Sequence, residues 1–233
     1  MVIDVLRATT TVAFALEAGA REIIPCLEVD DARRIAAGLP ARSFVLGGER
    51  GGKKIDGFDL GNSPSEYTPE RVNDKTVVFT TTNGTRALLH CHRAAEVLLG
   101  SLVNAQSLVL QLAERSAINL LCAGTDGEIT REDVLAAGAM VVLLTGIASD
   151  FTLNDEALIA GDAWQSLFAT SALLPGTGHF ENYLAKTLRE CRGGRNLIEL
   201  GMDDDLVVAA DYCRLAVVPI FRDSRITRLD VAS

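Results

Sequence analysis

A chain of 233 residues can bury a full core, and 48% hydrophobic with 23% charged residues marks an ordinary globular protein, excluding fibrous and disordered classes. The formal net charge of -9 excludes nucleic acid as a general partner, since binding by counterion release needs a basic face; a small anion stays admissible where local cations, a metal or backbone amides oppose that field. Cys26, Cys91, Cys122, Cys191 and Cys213 are odd in number and form no CxxC pair, and no run of 18 apolar residues occurs, so the expectation is a reduced cytoplasmic protein with no membrane segment.

In chain order, the opening VIDVL reads as the end of a buried strand with nothing ahead of it, which suggests that a natural beginning is missing. A helix over about 9–18 follows, then a strand EIIPC, a helix over 30–38 and a strand SFVLG. Residues 47–68 form a Gly-rich, charged connection far longer than usual, which points to function. The alternation resumes with TVVFT at 76–80, a helix over about 84–92, EVLLG at 96–100, a helix over about 104–115 and INLLCAG at 118–124. Beyond residue 130 the pattern is helical over 131–146, 154–170 and 179–190, with LAVVPIF at 215–221 as a closing strand. Repeated βα units predict an α/β fold, a three-layer α/β/α arrangement around a largely parallel sheet. The whole of 1–233 is expected to form a single compact unit, with a possible division into two closely joined subdomains near 130–150. Apolar helices in the second half make a homodimer an expectation.

Four constellations could carry chemistry. In Asp4-Val5-Leu6-Arg7-Ala8-Thr9-Thr10-Thr11 a strand ends at a carboxylate and passes through an arginine into a Thr-rich helix start. Unpaired amides, the positive end of the helix dipole and the hydroxyls of Thr9 and Thr10 suit a phosphate or sulfonate, and Asp4 is placed to hold a cation. The plainer alternative is a capping threonine with a surface Asp–Arg pair. Thr80 to Arg86 repeats the logic, with Thr81, Thr82, Asn83, Gly84 and Thr85 at the turn and Asn-Gly favouring a bend that aims amides at a ligand. Ligands of such sheets bind beyond the strand C-termini.

The third constellation places Glu49 and Arg50 at the end of SFVLG, Glu49 as a second metal ligand or a general base. Downstream, Phe58 to Pro64 reads as an ordered polar loop. The fourth is Cys122 to Gly127, followed by Thr130 and Asp133 as a capping-box-like helix start, with Glu132 or Asp133 as weaker candidates to face a metal. Cys122 lacks the CxxxxxR loop of a tyrosine-phosphatase-like site and reads as a packing thiol. His90 and His92 complement a helix C-terminus, and His179 reads as part of a helix-entry loop.

VIDVLRATTT, GGERGGKKIDGFDLGNSP, FTTTNGTRAL and LLCAGTDGEITREDVLAAG, in this order, resemble the signature blocks of the 2-phosphosulfolactate phosphatase family. A fainter echo lies at 194–205. The resemblance implies an α/β/α fold unrelated to the haloacid dehalogenase group, whose DxDx[TV] motif is absent. It also implies a Mg²⁺-dependent hydrolysis of 2-phospho-3-sulfolactate to 3-sulfolactate and phosphate, a step toward coenzyme M. On that basis Asp4 and Glu49 hold the metal, and Arg7, Arg50 and the amides around Thr9, Thr10, Thr82 and Gly84 stabilise phosphoryl charge. Attack by water and attack by Asp4 itself both stay open. So do a phosphatase for another small 2-phospho acid and a non-catalytic anion-binding protein.

Overall fold

A computed structural model describes residues 1–91, 93–148, 150–169 and 175–229. Its strands are β1 Val2–Ile3, β2 Glu22–Pro25, β3 Phe44–Arg50, β4 Lys53–Lys54, β5 Thr76–Thr80, β6 Val97–Gly100, β7 Leu121–Cys122, β8 Pro219–Arg222 and β9 Arg225–Arg228. The helices are α1 Ala8–Glu17, α2 Val29–Ala37, α3 Pro69–Val72, α4 Gly84–His90, α5 Ala105–Leu112, α6 Arg131–Ile147, α7 Asp155–Ala169, α8 His179–Glu190, α9 Arg192–Glu199 and α10 Asp204–Ala209. The helices expected to reach 92 and 170 end at His90 and Ala169, and positions 92 and 170 lie outside the described residues. None of the described helices is long and apolar enough to cross a membrane.

The strands form one nine-stranded sheet in the order β4-β3-β5-β2-β9-β8-β6-β1-β7. It is mixed, which corrects the expectation of a largely parallel sheet. β3, β5 and β2 run parallel to one another, as do β6, β1 and β7, but the two sets meet across an antiparallel hairpin of β8 and β9. The expected closing strand at 215–221 thus begins only at Pro219, and it sits at the centre of the sheet rather than at its edge.

Three antiparallel steps reverse the strand sense, so the two parallel sets point in opposite directions along a flat sheet. Asp4, just past β1, and Thr82, just past β5, nevertheless line one cavity. The sheet must therefore coil across the hairpin, in keeping with the twist that strands impose on one another.

Side-chain alternation covers both faces. Val2 enters the core built on α1, β2, β3 and β5, whereas its neighbour Ile3 enters the core of α5, α6, α7 and α8. Every residue of β5 is buried, as expected of a strand covered on both sides. On the helical side Trp164, Phe168, Phe180 and Tyr212 form an aromatic knot, with Phe168 stacked on Phe180 at 5.2 Å between centroids and Trp164 edge-on to Phe180 at 5.9 Å. Phe180 is fully buried at its centre. Phe180→Ala should lower stability by about 3–5 kcal/mol, the usual cost of emptying a packed aromatic site. Urea unfolding would measure it, and a loss below about 1 kcal/mol would mean that the knot collapses to fill the space.

Candidate active site

The strand ends meet around a cavity of about 310 Å³ lined by Asp4, Leu6, Arg7, Glu49, Gly51, Gly52, Asn62, Thr81, Thr82 and Asn83 on one side, and by Thr125, Asp126 and the α9 residues Gly193, Asn196 and Leu197 on the other. This is the size of a small-ligand pocket.

Glu49, buried at the end of β3, ties two loops together. Its Oε1 accepts hydrogen bonds from the backbone N–H of Thr82 at 2.8 Å and from the Thr82 hydroxyl at 3.0 Å, and its Oε2 accepts the N–H of Gly52 at 2.7 Å. Asp4 is also buried. Its Oδ1 accepts the N–H of Ala8 at 3.2 Å, and its Oδ2 takes no hydrogen bond among the described residues. Position 84 must be glycine for this packing, because a Cβ there would lie 2.7 Å from Asp4 Oδ2 and 2.5 Å from Ala8 Cβ.

Arg7 is buried and held by protein partners. Its Nη1 donates to Asp205 Oδ2 at 2.8 Å and its Nη2 to the Gly52 carbonyl at 2.7 Å, while the other oxygen of Asp205 accepts from the Ser63 hydroxyl. The plainer alternative of a surface pair between Asp4 and Arg7 gives way to a buried pair of Arg7 with Asp205, 198 residues away. Asp133 leaves its expected capping role. Thr130 makes no side-chain cap, and the Asp133 carboxylate accepts the N–H of Val5 and the N–H of Gly124, both at 2.9 Å, which anchors the exits of β1 and β7. Glu132 accepts the N–H of Gly193 at 3.2 Å on Oε1, and its buried Oε2 has no partner.

Burial of this many acids shifts their protonation. Desolvation, reinforced by Glu49 and Glu132, pushes Asp4 up to about 7, against the pull of the Ala8 N–H and Arg7. Asp133 is raised by burial and by Asp4, and Glu132 by burial. The thiol of Cys122 is pushed up to about 12 by burial and Asp133, which keeps it a thiol and in line with packing rather than attack.

Of the residues singled out in the sequence, Asp4, Arg7, Glu49, Thr81, Thr82 and Asn83 converge on the cavity. Gly84 stands directly behind Asp4. Thr9, Thr10, Thr85 and Arg50 do not line it. The Thr9 hydroxyl donates to the carbonyls of Asp4 and Gly100, and Thr10 bonds Val5 and Ser101, so the Thr-rich start of α1 is closed on itself by 5-residue loops and β6. Thr85 and Thr81 exchange bonds that set the turn. Arg50 donates to the Glu49 and Leu27 carbonyls and to Thr80, on the far side of β3. His179 is exposed and does not line the cavity. Sequence reasoning missed Asp205, Asn62 as a cavity residue, and the start of α9. Asn62 stood in the polar loop at 58–64, and Asn196, Leu197 and Asp205 in the faint motif echo at 194–205.

The donors suit a hard cation. Asp4 offers a free carboxylate oxygen, Glu49 keeps lone-pair capacity beside its three donors, and Asn62 adds an amide, with no thiol or imidazole among the described residues that line the cavity. Among the described residues no three His, Cys, Asp or Glu side chains form a ready-made cage. A magnesium ion that keeps most of its waters needs only one or two carboxylates, so the set present fits it.

The comparisons with known proteins bear on the same segments. The family model described as 2-phosphosulpholactate phosphatase matches residues 1–224. The chain belongs to the 2-phosphosulpholactate phosphatase family. A protein of Symbiobacterium thermophilum named "Probable 2-phosphosulfolactate phosphatase" is 37% identical over 231 residues, covering 99% of this chain and 94% of the relative. Proteins of the same name from Caldanaerobacter subterraneus (36% identical, 94% of this chain and 86% of the relative) and a Synechococcus species (38%, 93% and 86%) are similar. The four sequence blocks that resemble this family's signatures supply Asp4 and Arg7, Glu49 and Asn62, Thr81 to Asn83, and Thr125 to Asp126. All four reach one cavity.

Two outcomes follow for a member of the family built this way. Asp4, Asp133 and Glu132 bind protons more tightly folded than unfolded, so the unfolded state carries fewer protons and stability falls as pH rises from about 4 toward 7. Thermal melts of protein stripped of divalent cations should show Tm declining between pH 5 and 7.5; a flat or rising Tm would contradict the burial of these acids. Asp205→Ala leaves Arg7 buried without its counter-charge and should cost about 3–5 kcal/mol in denaturant unfolding. A cost near zero would mean that Arg7 finds water instead.

Proposed function

We propose that this family member is a phosphoric monoester hydrolase that cleaves 2-phospho-3-sulfolactate to 3-sulfolactate and inorganic phosphate with Mg²⁺, in the cytoplasm, on a route toward coenzyme M. The family membership and the relatives' names support the reaction. The observation that carries its location is the meeting, on one cavity, of a carboxylate with a free oxygen, a buried guanidinium and a strand-to-helix turn.

Asp4 and Glu49 would hold Mg²⁺, which when bound neutralises negative charge on the phosphoryl oxygens. Arg7 faces the same charge, and its orientation is set in advance by Asp205 and the Gly52 carbonyl, so little reorganisation is needed as the transition state forms. Because the Thr82 amide is committed to Glu49, the turn's contribution falls to the amides of Asn83 and Gly84, which have no acceptor among the described residues. Glu49 thereby fixes the turn's position through Thr82 and the opposite loop through Gly52. In the reaction, the oxygen of water forms the new bond to phosphorus and the bond to the C2 oxygen breaks. The proton lost by water ends on that leaving oxygen, carried through a cavity carboxylate.

Phosphate release from 2-phospho-3-sulfolactate, with Mg²⁺ and after chelation, tests this directly. Activity should require the cation, and Asp4→Asn should lower kcat/KM by on the order of 10²–10³, as removal of a preorganised group does. Arg50→Ala should retain activity, since Arg50 does not line the cavity. A quench that traps an acyl-phosphate on Asp4 would replace water attack by a phosphoenzyme.

A further inference from the structure

The proposed substrate carries three anionic groups, a carboxylate at C1, the phosphoryl on C2 and the sulfonate on C3, and Arg7 with the cation answers only the phosphoryl. The opposite wall of the cavity is made by the 124–128 hairpin and the first turns of α9. The hairpin is a tight reversal closed by the Thr125 and Glu128 backbones at 3.0 Å in both directions, with positive φ at Gly124, Asp126 and Gly127. It hangs between two helix starts. The N–H of Asp126 donates to Asn83 Oδ1 at 3.4 Å, and Arg192, the first residue of α9, donates to the Thr125 carbonyl at 3.3 Å and to Asp126 Oδ2 at 3.2 Å.

We infer that Arg192 is the residue that reads the sulfonate of the substrate, releasing Asp126 to do so. This rests on the proposed phosphosulfolactate reaction. Both acceptors of Arg192 line the cavity, as does the next residue, Gly193. Arg192 is held loosely, by bonds longer than the 2.7–2.9 Å typical of charged partners. Its partner Asp126 has a side chain 67% exposed, so returning that carboxylate to water costs little. Arg7, by contrast, is bound at 2.8 and 2.7 Å to partners inside the protein and is already assigned to the phosphoryl group. A guanidinium matches sulfonate oxygens in geometry and charge as it matches phosphate.

The test compares two substrates in the full-length protein, 2-phospho-3-sulfolactate and 2-phospholactate, which lacks only the sulfonate. Arg192→Gln should lower kcat/KM for the sulfonated substrate by roughly 10- to 100-fold, the range for a lost charged hydrogen bond, mainly through KM. Turnover of 2-phospholactate should stay within about 2-fold, and Arg192→Lys should recover part of the loss by keeping the charge. An equal loss on both substrates, or no loss on either, overturns the assignment: the first marks Arg192 as a support for the hairpin or a partner of the carboxylate that both substrates share, the second as a surface residue. A wild-type protein that hydrolyses 2-phospholactate but not the sulfonated substrate would overturn the proposed reaction itself, and is distinguishable because no variant is needed to see it.

Discussion

The site depends on keeping several carboxylates out of water with almost no cationic company. Asp4, Glu49, Glu132, Asp133 and Asp205 are all buried, and Arg7 is the buried basic residue set among them. Charges placed so would expel one another, or take up protons, unless something fixes them in place. What fixes most of them is backbone. Glu49 takes the N–H groups of Thr82 and Gly52, Asp133 those of Val5 and Gly124, and Glu132 that of Gly193. Each acid thus joins chain segments distant in sequence, and the loops around the cavity owe their positions to the same groups that make it electronegative.

This arrangement also explains why Asp4 stands apart. Its neighbours use both of their oxygens, or bury the spare one, while Asp4 keeps one oxygen free on the cavity. Glycine at 84 gives that oxygen its room, and the closed Thr9 and Thr10 network holds the strand end from behind. The hydroxyls of Thr9 and Thr10 in the first Thr-rich block therefore act on the protein's own backbone.

Much of the layout was legible in the chain. Apolar runs such as TVVFT and the helical periods of 131–146 and 179–190 announced their elements, since burial alone decides them. Asp4, Glu49 and Thr82 were legible because each lies at or just beyond the end of a strand. Asp205 and Asp133 were not, for their partners lie 198 and 128 residues away and nothing local distinguishes them from surface or capping acids. The central hairpin was missed for a different reason. Its turn residues, Asp223 and Ser224, both adopt positive φ, yet the pair lacks the Asn-Gly or Asp-Gly signature that usually marks such turns. Without the hairpin, repeated βα units read as one continuous parallel sheet.

That hairpin has a bearing on how the protein is made. β2 and β6, both encoded before residue 101, pair with strands encoded after residue 218. While the polypeptide emerges from the ribosome, each of these two parallel sets has an inner edge of unsatisfied amides and carbonyls that waits for more than half the chain to be synthesised. Open edges of that kind are where nascent chains stick to one another. The burden of folding this enzyme in a crowded cell falls on the interval between the appearance of β6 and the arrival of β8.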